Sequence, residues 1–474
     1  STPSRRTKIM NYWNNSSRTI LIFSIILFFY SFFLLSQNFF LNTGYWYDEW
    51  CTLYTADPNY DFEIFFDRLS GDEVKPYEHV PATYYLVLRL FFKIFGFTSE
   101  NGRIFSLIFF ILSTFSFYIL LRNNLNKIQS LFISSVFFST PLIFWMSNET
   151  RVDMFLLFFS MINCLIFLKC LNLNNKKNKF LLLFINFFTL CIYPLTFSIT
   201  ISQILFSGLK KNYDLALIVL LSIILYFIFN YDYFIDKSSN FSHHFASLKL
   251  DFFIGYFFNI FFGSIFFGSI FLLFFIYFFL KNFKKFLNND SILFSILVIA
   301  TTYLMVILSS LFVVPIAAPR YIIFIIPFIL IFLFSNIFIF EKKRIFVYLF
   351  FIISFINISI NYNSHPIAKP KIDEMLKIVK KFNGNYIHIV PQDKLFLHYI
   401  STVKNIKNFK IIYEDNIKDE KILSFTLICL NNPKFAFGDH NMKINSLCLN
   451  TYLNYNEERM IIFDDFVIRN FKKN

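Results

Sequence analysis

Seven residues from Gly44 to Trp50, Gly-Tyr-Trp-Tyr-Asp-Glu-Trp, set two adjacent carboxylates among four aromatic rings. An apolar run from Thr19 to Leu41, long enough to cross a bilayer once, comes just before them. Trp and Tyr favour the boundary between lipid and headgroup, whereas carboxylates there are costly unless they face water, a cation or a substrate. Asp48 and Glu49 therefore either begin a solvated loop or supply a general base at a membrane surface. Other ionisable side chains stand at the ends of later apolar runs: Glu78 and His79, Glu149, Arg151 and Asp153, His243 and His244, and Arg320 beside Tyr321. Carboxylates can take the proton of an attacking hydroxyl or amine. Guanidinium groups bind phosphate, often through two parallel hydrogen bonds.

The elements that carry these residues follow from composition. Hydrophobic residues make up 56% of the 474-residue chain and charged ones only 16%, with a mean hydropathy of +0.55. Soluble domains hold about 25% charged residues, so the fold class is a polytopic α-helical membrane protein. The formal charge of +14 would suit nucleic acid in a soluble chain. Here the Lys and Arg lie in short loops between apolar runs, which is the signature of topology, and a nucleic-acid partner is excluded. Apolar runs at 19–41, 103–121, 128–147, 152–171, 180–193, 195–209, 214–234, 260–280, 291–313, 321–340 and 345–361 predict about eleven spans. Residues 180–209 read as one broken helix or two spans. With every basic cluster on the cytoplasmic side, they must cross twice. The amino terminus is then cytoplasmic, the first run is a retained span and not a cleaved signal peptide, and the carboxyl terminus lies outside.

The first external loop, Asn42 to Gly102, is the longest and is expected to carry interfacial helices at 62–69 and 84–95. Residues 1–361 form the transmembrane domain. From 362 to 474 the composition turns polar, with β-type runs at 386–390, 409–413, 424–430 and 460–463 and helical stretches at 371–382 and 392–403. This predicts a small external, periplasmic mixed α/β domain for recognition or packing. Cys429 and Cys448 both fall in it, and pairing and two free thiols remain open alternatives.

An external membrane site has no nucleotide sugar at hand in most bacteria, so an activated donor must come tethered to a lipid carrier such as a polyprenyl phosphate. With that requirement in view, the chain resembles the GT-C superfamily of membrane glycosyltransferases, in its protein O-mannosyltransferase and aminoarabinose transferase branch. The resemblance rests on GYWYDEW at 44–50, EHVPATYYLVL at 78–88 with FGFTSENGRIFSL at 95–107, SNETRVDMFLL at 147–157 and APRYIIFIIPFILIF at 318–332. The order and sidedness of these motifs match over residues 19–340. The paired prolines of the family are reduced here to His79-Val80-Pro81, and the carboxyl-terminal part matches no particular branch.

The resemblance implies an inverting transfer from a polyprenyl-phosphate sugar to a glycan, lipid or protein acceptor on the outer face of the bacterial inner membrane. Asp48 would be the base, with Glu49 supporting its position or charge state. Arg320, Arg151 and Tyr321 would bind donor phosphate, Arg151 alternatively pairing with Asp153 or Glu149. Glu78, His79, Tyr84, Glu149, Asp153, His243 and His244 would line the cavity on the acceptor side. No cofactor is implied with certainty. A divalent metal held by Asp48, Glu149 or Asp153 is not favoured, because the mannosyltransferase branch is thought to act without one. A flippase for lipid-linked sugars is the main rival, but it would place charges at mid-membrane and show an internal repeat. An O-antigen polymerase or ligase would carry its long loop late in the chain, not early.

Overall fold

The computed structural model describes residues 5–40, 45–70, 81–173, 175–230, 252–253, 264–286, 289–312, 316–338, 343–361, 371–382, 386–390, 394–404, 410–412, 417, 422–430, 452, 454–463 and 466–474. Within them, each of the eleven expected apolar stretches is occupied by helix. These are α1 (Arg5–Phe40), α5 (Ser99–Arg122), α6 and α7 (Lys127–Phe138 and Pro141–Ser147), α8 (Asp153–Asn172), α9 (Lys176–Ile192), α10 (Phe197–Leu209), α11 (Tyr213–Phe229), α12 (Ile265–Phe286), α13 (Asp290–Phe312), α14 (Ile326–Ile337) and α15 (Lys343–Asn361). Residues 17–37 of α1, and α5, α8 and α13, are long and apolar enough to cross a membrane by length and composition. The α6–α7 pair makes a fifth candidate, bent by 65° at a break. Pro141 sits just past that break, where its ring and missing N–H are incompatible with a continuous helix.

Large apolar side chains point away from the bundle. Phe29 of α1, Leu217 of α11 and Phe312 of α13 are 65%, 63% and 78% exposed. An outer surface of this kind suits lipid and not water. Inside, α5 packs on α6 and α8, α1 on α6 and α15, and α10 on α11 and α13.

Residues 180–209 form a hairpin of two helices, α9 and α10. Asn186 Nδ2 donates to Gln203 Oε1 at 2.9 Å. In one continuous rod these positions would lie about 25 Å apart, at 1.5 Å of rise per residue. The chain therefore reverses at Tyr193-Pro194, where a short 3-10 turn, Pro194–Thr196, links the two helices.

Gln203 is one member of a closed ring of amides. Asn163 Nδ2 donates to Asn186 Oδ1 at 2.9 Å, and Gln203 Nε2 returns to Asn163 Oδ1 at 2.6 Å. All three side chains are buried, and within the ring each gives and takes one bond, Asn163 Nδ2 also reaching Thr189 Oγ1 at 3.4 Å. Next to the ring, Ser198, Ser202, Thr301 and Thr302 tie α10 to α13 through hydroxyl bonds of 2.7–3.0 Å. Buried amides carry a penalty that only hydrogen bonding removes, so these polar groups fix the register of α8, α9, α10 and α13.

Three short helices follow α1: α2 (Tyr47–Thr55), α3 (Phe62–Ser70) and α4 (Ala82–Phe95). The last two fall where helices were expected, at 62–69 and 84–95. Arg89 of α4 has a different task from that of a charge lying on a membrane. It is buried and donates to the carbonyls of Asp57, Tyr60 and Asp61, clamping the turn between α2 and α3.

The carboxyl-terminal part holds α16 (Ile372–Val379), α17 (Lys394–His398) and a five-stranded sheet in the order β2-β1-β3-β5-β4. Its strands are β1 (Tyr386–Val390), β2 (Lys410–Ile412), β3 (Ser424–Leu430), β4 (Tyr455–Phe463) and β5 (Phe466–Lys473). The strand β5 has no counterpart among the expected runs, yet it pairs antiparallel with both β3 and β4. Its Arg469 and Asn470 are buried because Glu457 and Glu458 of β4 accept from them, at 2.5 Å and 3.0 Å. Cys429 of β3 is disulfide-bonded; Cys448 lies outside the described residues.

Candidate active site

The two carboxylates of the opening motif fall in the first turn of α2, where the unpaired N–H groups favour negative charge. Successive residues on a helix point about 100° apart, so Asp48 and Glu49 face different surroundings.

Asp48 faces two guanidinium groups. Its Oδ2 lies 3.0 Å from Arg320 Nη1 and 3.6 Å from Arg151 Nη2. The side chains of Asp48, Arg320 and Arg151 are 18%, 29% and 12% exposed, which places the cluster at a surface and open to a ligand. Arg151 also donates to the Asp48 carbonyl at 3.1 Å. Asp48 is thus one carboxylate partner of Arg151, and Asp153, a partner the sequence offered, lies within its field. Arg320 lies over the rings of Trp46 and Tyr321, at 5.4 and 5.2 Å, and its Nη2 reaches the Tyr321 hydroxyl at 3.4 Å. Burial disfavours its charge, but the Asp48 carboxylate outweighs that and the Arg320 pKa is raised. Asp153, first residue of α8, is buried within the field of Arg151 and Arg320. Two cations and two anions thus meet at one end of the bundle.

Glu49 turns inward and is fully buried. Its Oε1 accepts from Thr150 N at 2.9 Å and its Oε2 from Trp46 N at 3.4 Å. It pins the 148–151 turn, and with it Arg151, to the start of α2. Tyr45 extends the same network, bonding to the Ser99 carbonyl and, at 3.0 Å, to the Thr150 hydroxyl. The buried guanidinium of Arg103 lies 4.2 Å from the centre of the Tyr45 ring, within the field of Glu49 and Glu149.

Two more of the residues expected on the acceptor side are buried. Tyr84 is fully buried with its ring against Tyr85, Phe105 and Phe155. Glu149 is also buried, and its carbonyl accepts from Ser106 at 2.5 Å. Glu78, His79, His243 and His244 lie outside the described residues. Among those described, no three His, Cys, Asp or Glu side chains gather as a metal ion requires. Tyr193, absent from the expected set, stands beside Tyr321 with ring centres 6.5 Å apart.

The carboxyl-terminal part docks directly on α2. Phe396 and Tyr399 pack against Trp50, and Tyr399 also against Tyr45. His398 Nε2 meets Asp57 Oδ2 at 2.7 Å, with both side chains buried. A small pocket lined by Leu120, Asn124, Ser291, Phe294 and Ser335 lies at the far end of α5, away from Asp48. It contains no titratable side chain.

Residues 78–224 match the dolichyl-phosphate-mannose-protein mannosyltransferase family. A search of curated proteins finds no match. Among solved structures, the fold is similar to ArnT from Cupriavidus metallidurans bound to undecaprenyl phosphate, with a TM-score of 0.56, 9% identity, and 95% of this chain and 97% of that one covered. The apo ArnT from the same organism gives a TM-score of 0.55 and 10% identity over 98% of each chain. Over residues 78–224 the chain is thus similar to the dolichyl-phosphate-mannose-protein mannosyltransferase family, and over nearly its whole length it shares the fold of ArnT.

Proposed function

We propose that the chain transfers a sugar from a polyprenyl-phosphate carrier to an acceptor on the outer face of the cytoplasmic membrane, with inversion at the anomeric carbon. The observation that carries this reading is Asp48 paired with Arg320 and Arg151 at a partly open end of an apolar bundle. The ArnT fold and the undecaprenyl phosphate bound to one ArnT structure support it.

Asp48 takes the proton of the acceptor hydroxyl or amine as that atom attacks the anomeric carbon. The bond from that carbon to the phosphate oxygen breaks, and the electron pair leaves on the polyprenyl phosphate. This leaving group needs cations, not a proton. Arg320 has five N–H donors, so it can keep one on Asp48 while offering others to phosphate. One carboxylate therefore suffices, in contrast to the carboxylate pair of glycoside hydrolases. No step is assigned to a metal ion. The eleven helical runs cross the membrane in this reading, with the amino terminus cytoplasmic and residues 362–474 periplasmic.

The test is purified protein with defined polyprenyl-phosphate hexoses and pentoses, as wild type and Asp48→Asn. Wild type should release free polyprenyl phosphate, and the variant should lose about 10²-fold or more of that rate. Equal release by the two removes Asp48 from the chemistry. Movement of lipid-linked sugar between leaflets without release would make the chain a flippase instead.

A further inference from the structure

The backbone of Tyr193 is fully occupied at the α9–α10 reversal. Its N–H donates to the Thr189 carbonyl at 3.1 Å, and its own carbonyl accepts from Thr196 N at 3.1 Å and Thr196 Oγ1 at 2.7 Å. Its hydroxyl, by contrast, makes no hydrogen bond among the described residues. The ring lies against Tyr321, and the charges acting on the hydroxyl are those of Asp153, Arg320 and Arg151. The Asn163, Asn186 and Gln203 ring fixes the hairpin that presents this side chain.

Those charges set what a ligand phosphate meets. Arg320 and Arg151 are already balanced by Asp48 and Asp153, so an arriving anion finds guanidiniums shared with carboxylates. A neutral donor next to them adds a bond to phosphate without drawing Arg320 off the base. We propose that Tyr193 is a donor-binding residue whose hydroxyl hydrogen-bonds a phosphate oxygen of the lipid-linked sugar. This rests on the donor class proposed above.

The experiment compares wild type with Tyr193→Phe, which removes the hydroxyl and keeps the ring. The readouts are the Kd for polyprenyl phosphate in detergent micelles, the donor and acceptor KM values, and the melting temperature. Loss of a hydrogen bond to a charged acceptor should weaken carrier phosphate and raise donor KM by about tenfold or more, with acceptor KM and melting temperature unchanged. If Tyr193 only packs on Tyr321, Phe will serve equally well, and an unchanged Kd overturns the assignment. Should the Phe variant fail to fold, 3-fluorotyrosine at 193 keeps the shape and strengthens the donor. Carrier phosphate should then bind more tightly, and no change overturns the proposal. Wild type that binds no polyprenyl phosphate refutes the donor class itself, an outcome distinct from equal binding by wild type and Tyr193→Phe.

Discussion

Gly102→Ala tests how the 148–151 turn is held against α5. A Cβ built at Gly102 would lie 2.7 Å from both Cγ2 and Oγ1 of Thr150 and 3.3 Å from its Cβ. Thr150 cannot swing away without loss, because its N–H is given to Glu49 and its hydroxyl meets Tyr45. Overpacking of this kind costs about 2 kcal/mol. Thr150→Ala alone forfeits the Tyr45 contact, at about 1 kcal/mol. In the double variant only the 3.3 Å contact remains, so the overpacking largely vanishes and the total stays near 1 kcal/mol. The cycle should therefore show about 2 kcal/mol of coupling, in the sense of rescue. Reversible unfolding of the detergent-solubilised protein gives the stabilities, and carrier-phosphate release gives activity. Release should fall in Gly102→Ala and recover in the pair, because Arg151 follows Thr150. Additive losses would show that the two side chains do not meet, and the packing described for this turn would be wrong.

Two further perturbations probe the polar contacts that hold the scaffold. Asn186→Leu leaves Asn163 and Gln203 each short of a buried partner and should cost about 1–3 kcal/mol, whereas changing all three amides to Leu should cost less than that single change; a triple variant worse than every single one would refute the closed ring. His398→Ala leaves Asp57 buried without its 2.7 Å partner. It should destabilise by about 2 kcal/mol and raise amide hydrogen exchange in residues 394–403 before it touches the transmembrane helices; uniform exchange along the chain would deny His398 a docking role.

The apolar runs were legible because a period-free hydrophobic stretch of membrane length has few other structural uses. That Asp48 and Arg320 belong to one cluster could be proposed as well, since charges at the ends of such runs stand out. What stayed hidden depends on contacts distant in sequence. The helix α2 is nine residues long, and its burial comes from Phe396 and Tyr399, more than 340 positions away. Asn163, Asn186 and Gln203 are the one carboxamide in each of three different apolar runs, and nothing local pairs them. The strand β5 reads as a charged tail until Glu457 and Glu458 are placed opposite Arg469 and Asn470. Tyr193 was visible only as the residue before a proline. Its place beside Tyr321 follows from the hairpin, not from its neighbours in sequence.

The adjacency of Asp48 and Glu49 leads to one more test, because two neighbouring carboxylates need not share a task. Asp48 is partly solvated between guanidiniums, while Glu49 is sealed in the core on two backbone N–H groups. Water screens the pairing of Asp48, so Asp48→Asn should cost about 1 kcal/mol or less in stability while abolishing release of carrier phosphate. Glu49→Gln behaves in the opposite way. Its amide can still accept from Thr150, but its NH₂ then confronts the Trp46 N–H, and the Arg103 field loses a buried anion. About 2–4 kcal/mol of stability should go with it, along with activity in proportion to the loosened 148–151 turn. A second-site change that restores melting temperature should then restore Glu49→Gln turnover and leave Asp48→Asn inactive. If Glu49→Gln keeps its melting temperature and still loses all turnover, Glu49 takes part in the chemistry, and the division between a base facing the guanidiniums and a staple facing the core fails.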